Sequence, residues 1–477
     1  MSNTSDSEYI QETETDPDSI SISNTEISST NDESIDESIG ESLPIENDDI
    51  IELTIDIFDL LDEYHTTHIL EISSPNYYKN AIENTANILI NEWIDSDICD
   101  DDDFDDVYEE LTELIESVLE IFIEKSGHIQ RSKKYTLDTI NNPSSIDIPA
   151  LTTKIQELQN IPQPQQKTKE WHEYRYNLIT ASNLWKALGS EAQVNSLIYE
   201  KCKPLNLNGT DYNYTNTDSA LHWGVKYEPV TVMVYEHMFQ TRVGEFGCIK
   251  HSKYPFIGAS PDGINIDPQN QRYGRMLEIK NIVNREITGI PKEEYWIQTQ
   301  IQMETCELEE CDFVETRFLE YPDESAFYND ETHEYKGVIL NFIERITNSV
   351  TKNTNPVYHY MPVDVPSDRD TIMKWIQITK DEFRKKGLVL YSTIYWYMDQ
   401  FSCVLIPRNK SWFELAVPKI ESVWQTIEKE RVDGYEHRST KKRIPKVNVV
   451  LSSDSSNSYM INNLVLTNSI CLVKLEN

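Results

Sequence analysis

Apolar side chains recur at three- and four-residue steps from Asp105 to Glu124: Val107, Leu111, Leu114, Ile115, Val118, Leu119 and Phe122. That spacing puts them on one stripe and predicts an amphipathic helix. Shorter stripes of the same period, Ile55, Phe58, Leu60 and Leu61, then Ile82, Ala86, Ile90 and Trp93, predict two helices upstream. The aspartates at 100–103, 105 and 106 suit the positive end of a helix dipole, and they lack the glycine and closing glutamate of a calcium loop. Farther on the period drops to two. Phe256, Ile257 and Ala259 lead into Asp262, and Ile264 and Ile266 alternate out of it. A polar turn, Asp267-Pro268-Gln269-Asn270-Gln271, reverses the chain before Met276-Leu277-Glu278-Ile279-Lys280. This predicts strand, hairpin, strand. Beyond it, Lys336–Arg345 is mostly apolar, Tyr391–Ile406 reads as a core helix or strand, and Trp412–Glu428 as a closing amphipathic helix.

Charge divides the chain. The net charge is −40, yet residues 1–150 hold 39 acids and 5 bases (−34), leaving 43 acids and 37 bases (−6) for residues 151–477. Residues 1–50 contain 15 acids and no Lys or Arg. They cannot bury enough apolar area to offset chain entropy, so they are expected to be a disordered acidic tail, either solubilising or aimed at a basic partner. The expected organisation continues with a small helical region at 51–127 and a Pro-, Gln-, Asn- and Ser-containing linker at 128–166. Residues 167–432 form the main domain, and 433–477 a C-terminal tail. Lys441-Lys442-Arg443 in that tail reads as a nuclear signal, a nucleic-acid contact or plain solvated charge.

Seven scattered cysteines, an odd number without a signal peptide, predict reduced thiols in an intracellular, soluble protein. Only Cys306 and Cys311 lie near each other, so neither an iron–sulfur cluster nor a structural zinc is expected. No apolar run reaches the roughly 18 residues of a membrane span, and no repeat of solenoid period is present.

Candidate chemistry centres on Asp262, Glu278 and Lys280. Residues i and i+2 of a strand share a face, so Glu278 and Lys280 point together while Leu277 and Ile279 enter the core. Hard Mg²⁺ or Mn²⁺ takes oxygen ligands. Asp262 and Glu278 would supply carboxylates and the Ile279 backbone carbonyl a third oxygen, with Lys280 orienting a nucleophile and stabilising a charged transition state. The bland alternative is a common Pro-Asp-Gly turn beside an ordinary half-solvated strand. Three further blocks surround this core: Trp171-His172-Glu173-Tyr174-Arg175 continuing to Ile179-Thr180-Ala181-Ser182; Trp223-Gly224 with Glu228-Pro229; and Tyr295-Trp296-Ile297-Gln298-Thr299-Gln300. Arg175 offers a planar fork for phosphate oxygens, and Thr180 and Ser182 offer hydroxyls near a helix start. Glu228 opens an expected helix from Pro229 to Phe239, where it could simply act as a cap. Tyr295, Gln298 and Gln302 share one helical face, which could equally be a solvent-facing polar stripe.

These four blocks, in this order, resemble the lambda-exonuclease-like viral recombinase nucleases, the YqaJ-type branch of the PD-(D/E)xK superfamily. The resemblance implies an α/β restriction-endonuclease-like core, a mixed sheet flanked by helices, here with an acidic N-terminal extension. It implies a metal-dependent nuclease digesting duplex DNA 5′ to 3′ from its ends, with Mg²⁺ or Mn²⁺ and two ions expected. Arg175 and Ser182 would hold the 5′-phosphate, Glu228 would join the metal ligands, and Gln298 would face the active site. A strand-annealing partner, a ring-shaped homo-trimer in some relatives, and action in viral recombination or repair follow from the same resemblance. The setting would be a large DNA virus, in host cytoplasm or at a viral replication site, with the nucleus open. Two rivals stand beside it: an endonuclease of the same fold, and a DNA-binding or interaction module that lost its chemistry. The intact Asp262, Glu278 and Lys280 weigh against the second.

Overall fold

The computed structural model describes Leu43 and residues 50–96, 98, 104–134, 147–164, 168–205, 216–217, 219–344 and 356–439. Nearly all of the acidic tail, the Asp100–Asp103 run and the Lys441-Lys442-Arg443 trio lie outside these residues. The described strands are β1 (Lys133–Lys134), β2 (Ile179–Thr180), β3 (Val243–Gly244), β4 (Ile249–Lys250), β5 (Ile257–Ala259) and β6 (Gly263–Asn265). They continue with β7 (Met276–Asn281), β8 (Glu310–Glu320), β9 (Lys336–Glu344), β10 (Val357–Tyr360) and β11 (Leu388–Pro407). One mixed sheet runs β10-β9-β11-β8-β7-β6-β3, with β1 also on β11; a small second sheet runs β2-β5-β4. Helices flank the main sheet, the α/β class that the resemblance implied.

Among the described strands of the main sheet, only β7 and β8 pair in parallel. Parallel neighbours need a crossover, and the Glu293–Cys306 helix provides it. That connection lays the helix over the face of β7 that bears Glu278 and Lys280. Trp296, Ile297, Ile301 and Met303 are buried, and so are Gln298, Gln300 and Gln302. The helix is therefore not a solvent-facing polar stripe. On the other face of β7, Leu277 and Ile279 pack with Val314 and with Tyr235 of the Ala220–Phe239 helix.

This second helix begins nine residues before the expected start at Pro229. Ser219 caps it, accepting from His222 N at 3.1 Å. Proline favours a first turn, but here Pro229 sits in the interior, where it removes one N–H and crowds the carbonyl four residues back. Side chains reach the carbonyls of that turn: Asn281 Nδ2 donates to Gly224 O at 3.0 Å and Tyr360 Oη to Lys226 O at 2.9 Å. Glu228 is thus a mid-helix residue and not a cap.

The Ile50–Thr67, Tyr77–Asp95 and Phe104–Lys125 helices precede the sheet. All seven apolar residues expected inside the third are buried, as are Ile82, Ala86, Ile90 and Trp93 of the second. The stripe of the first is rotated: Leu53, Ile57, Leu61 and Tyr64 face inward, while Ile55 is exposed. These helices share one hydrophobic core with the crossover helix and with the Lys410–Asp433 helix. The stretch read as linker contains a helix, Ile148–Gln159, capped by Asp147 accepting from Ala150 N at 3.0 Å, with Ile155 and Leu158 buried. None of the described helices is long and apolar enough to cross a membrane.

A polar tether joins the helical region to the crossover. Buried Arg131 donates through Nη2 to Ser73 O at 3.0 Å and Pro291 O at 2.5 Å, and its own carbonyl accepts from Trp296 Nε1 at 2.7 Å. Burial lowers its pKa to about 10, which still leaves it charged. Arg131→Ala would strand two buried carbonyls, so a stability loss of roughly 3 kcal/mol in urea denaturation is expected. A change below about 0.5 kcal/mol, the range of ordinary surface substitutions, would show that the tether contributes nothing.

Candidate active site

Asp262 sits where the chain changes sheets. Strand β5 belongs to the small sheet and β6 to the large one, so Ser260-Pro261-Asp262 forms a corner, not the middle of one continuous strand. Gly263 pairs with Leu277, and the next rung would set Asp262 opposite Glu278, but the chain has already turned away. The Ile279 N–H donates instead to Asp262 Oδ2 at 2.7 Å. The side chain replaces a missing ladder partner, which satisfies a buried N–H. Gly263 is needed at this corner, because a Cβ there would lie 2.1 Å from Val243 Cγ1.

Glu278 is buried and held on both oxygens. Its Oε1 accepts from Lys280 Nζ and from Gln298 Nε2 (2.7 Å), and its Oε2 accepts from Gln302 Nε2 at 2.7 Å. Gln298 Oε1 in turn accepts from Lys280 Nζ at 3.3 Å, so this one amide bridges the acid and the amine. The Tyr295 ring lies 4.8 Å from Lys280 Nζ, a cation–π contact on a second side.

A cavity of about 250 Å³ gathers the rest. Asp262, Glu278, Ile279, Lys280 and Gln298 line it together with Glu228, Arg175, Thr180 and Ser182. All nine residues singled out in the sequence therefore meet in one place, from elements more than 100 residues apart in the chain (Arg175 to Gln298). Arg175 ends the Lys169–Tyr176 helix, lies 4.9 Å from the Trp171 ring, and donates to Ser260 Oγ at a long 3.4 Å. The Thr180 and Ser182 hydroxyls are 3.3 Å apart at the start of the Ala181–Leu188 helix, with Thr180 at the N-cap position.

Burial first, and then crowding of carboxylates, sets the electrostatics. Desolvation, followed by the charges of Glu278 and Glu228, raises Asp262 well above its ordinary 3.8. Glu228 is raised by desolvation and then by Glu278. Burial works to lower Lys280, but the charges of Glu278 and Asp262 outweigh it and hold the amine above its usual value. A cation would relieve these three acids, and Gln302 Oε1 is a buried oxygen without a hydrogen-bond partner. The donor set is all oxygen, as Mg²⁺ or Mn²⁺ prefers, so the residues fit such an ion. Among the described residues no group of three or more His, Cys, Asp or Glu side chains is already arranged to hold a metal ion. Glu278 instead spends its oxygens on Lys280 and the two glutamines.

Three contributors were given no site role from the sequence. Gln302 and Ser260 line the same cavity. For Gln302 the signal was present in its i+4 relation to Gln298. Lys201 lies outside it, but its Nζ donates to Arg175 O at 3.2 Å and so ties down the end of the helix bearing Arg175. Burial lowers this amine to about 8. No local pattern marks Lys201, since its partner is 26 residues away.

The folded chain keeps the Asp262 proton at pH values where the unfolded chain, titrating near 3.8, has released it. The native state then binds more protons, so this residue's contribution to stability falls as pH rises above the ordinary carboxylate range. Asp262→Asn keeps an acceptor for Ile279 N–H and cannot ionise. In metal-free buffer it should melt above the parent at about pH 8, by a smaller margin at about pH 5. Equal calorimetric melting at the higher pH would show that no charge is being buried there.

Residues 170–309, which contain every residue of this cavity, match the family model of the YqaJ-like viral recombinase domain. The chain is 28% identical over 307 residues to uncharacterized protein R354 of Acanthamoeba polyphaga mimivirus, covering 58% of this chain and 54% of that protein. It thus spans about half the length of this curated relative. Among solved structures, an alkaline exonuclease (LHK-Exo) from Laribacter hongkongensis matches with a TM-score of 0.33 and 20% identity, over 55% of this chain and 94% of that one. LHK-Exo in complex with dAMP matches with the same TM-score and identity, over 57% and 97%. The segment that builds the cavity, residues 170–309, is therefore similar to the YqaJ-like viral recombinase domain.

Proposed function

We propose that this chain is a Mg²⁺- or Mn²⁺-dependent deoxyribonuclease that digests duplex DNA from its ends, 5′ to 3′, in viral recombination or repair. One observation supports this above the rest: two acids and a lysine share a cavity with an arginine and two hydroxyls suited to phosphate. Glu228, Asp262, Glu278 and the Ile279 carbonyl would hold the metal, one ion or two, which when bound supplies Lewis acidity and neutralises phosphate charge. Lys280 keeps its proton at neutral pH. It therefore serves as a fixed positive charge beside the scissile phosphate and a hydrogen-bond donor to the attacking water, not as a base. Gln298 keeps Lys280 and Glu278 in register. Arg175 would take two oxygens of a terminal phosphate in its fork, displacing the long bond to Ser260, with Thr180 and Ser182 adding donors at a helix start. A terminal-phosphate pocket beside the cutting centre favours ends over chain interiors, and this underlies the exonuclease reading.

The similarity to a mimivirus protein agrees with a large-DNA-virus setting. A strand-annealing partner and a homo-trimeric ring belong to the same proposal, as does the assignment of residues 167–432 as the nuclease unit.

A time course on end-labelled linear duplex with Mg²⁺ tests the reading beside a closed circle. The 5′ label should leave first, as mononucleotide, and the circle should survive; strong cutting of the circle would reject end-directed digestion. Arg175→Ala should reduce the preference for 5′-phosphorylated over 5′-hydroxyl ends by about ten-fold, the effect of losing one charge-assisted contact. An unchanged preference would remove Arg175 from that role.

A further inference from the structure

Gln302 has no part in the mechanism above, yet its contacts differ from those of its neighbours. It is fully buried one helical turn after Gln298, and it lines the cavity. Its Nε2 donates to Glu278 Oε2 at 2.7 Å and to Ser260 O at 3.3 Å. Both partners only accept, so the amide orientation is decided: turned over, an oxygen would face two oxygens. Its Oε1 is then left buried with no hydrogen-bond partner. Gln298 takes the other oxygen of Glu278, so two amides at i and i+4 grip the carboxylate from one helix. Gln300, between them, is satisfied away from the cavity: its Nε2 donates to Pro407 O at 2.9 Å and its Oε1 accepts from Asn409 N at 2.7 Å. It acts as a structural staple.

We propose that Gln302 is a positioning residue of the metal centre: its N–H groups fix the Glu278 carboxylate, and its Oε1 offers a neutral oxygen to the cation's surroundings. This rests on the metal-dependent reading above. The residue type fits the task. An acid here would add a further negative charge against Glu278, and an apolar side chain would leave Glu278 Oε2 without its donor. Glutamine gives a donor to the acid and an acceptor to the cation without changing net charge.

The test is calorimetric titration of Mn²⁺ into the full-length chain without DNA, with thermal melting in parallel. Gln302→Met keeps length and volume but removes both polar functions. Its Mn²⁺ dissociation constant should rise about ten-fold, the effect typical of residues that orient metal ligands. Gln300→Met should stay within about two-fold of the parent while losing at least as much melting temperature, since it breaks two backbone contacts. Gln302→Asn retains an amide with shorter reach and should show the same loss of affinity if the methionine variant folds poorly. Parental Mn²⁺ affinity in both Gln302 variants would overturn the proposal. So would an equal loss in Gln300→Met, which would trace the effect to general loosening of the helix. If the parent chain itself takes up no Mn²⁺, the metal-dependent reading falls, and this inference with it.

Discussion

Burying carboxylates in the interior of a sheet is costly unless each one is paired or hydrogen-bonded. Here Glu278 is buried on β7, Asp262 is half-buried at the corner beside it, and neighbouring elements hold both. Strand β6 stops short, so that Asp262 takes over the hydrogen bond a continued strand would have made to Ile279. The parallel pairing of β7 with β8 forces a crossover helix across the same face, and that helix brings Gln298 and Gln302 onto Glu278. Lys280, two residues from Glu278 on the same strand face, supplies the counter-charge. What remains is a site where three acids stand beside Lys280, and desolvation, followed by their mutual charge, raises Asp262 and Glu228.

Much of this was legible in the sequence because strand periodicity is local. The alternation across Met276–Lys280 sets which side chains share a face, and the structure agrees: Leu277 and Ile279 lie in the core while Glu278 and Lys280 line the cavity. The Phe104–Lys125 stripe was legible for the same reason. Features set by tertiary context were not. Pro229 marks a helix start by preference, but packing of Tyr227, Val230 and Val234 carries the helix through it. Tyr391–Ile406 suited a helix or a strand equally; it lies in the 20-residue β11, which pairs with β9 along its first part and β8 along its second, with register shifts at Leu390/Ser392 and Met398/Gln400. The change of sheets at Asp262 depends on pairing with β2 and β4, which no local pattern encodes. The first helix faces inward on Leu53, Ile57 and Leu61, because several apolar stripes were available and the neighbouring helices selected one.

The charge of −40 illustrates the same division between local and global reading. Taken whole it argues against a polyanionic substrate; divided, it concentrates in residues 1–150, and the remainder is near neutral. The N-terminal helices that carry part of this acidity still pack into the hydrophobic core of the crossover helix, and Arg131 ties them to the loop preceding it. Acidic surface and candidate catalytic face thus belong to one folded body, and Arg175 and Lys280 are the positive charges that line the cavity.

Whether the Asp262–Glu278–Lys280 cluster cleaves phosphodiesters is tested most directly by Mg²⁺-supplied digestion of linear duplex by the parent, Asp262→Ala and Lys280→Ala, each checked for native melting. Cleavage by the parent and none above background by either folded variant is the expected result. Parent-like cleavage by either one would contradict it.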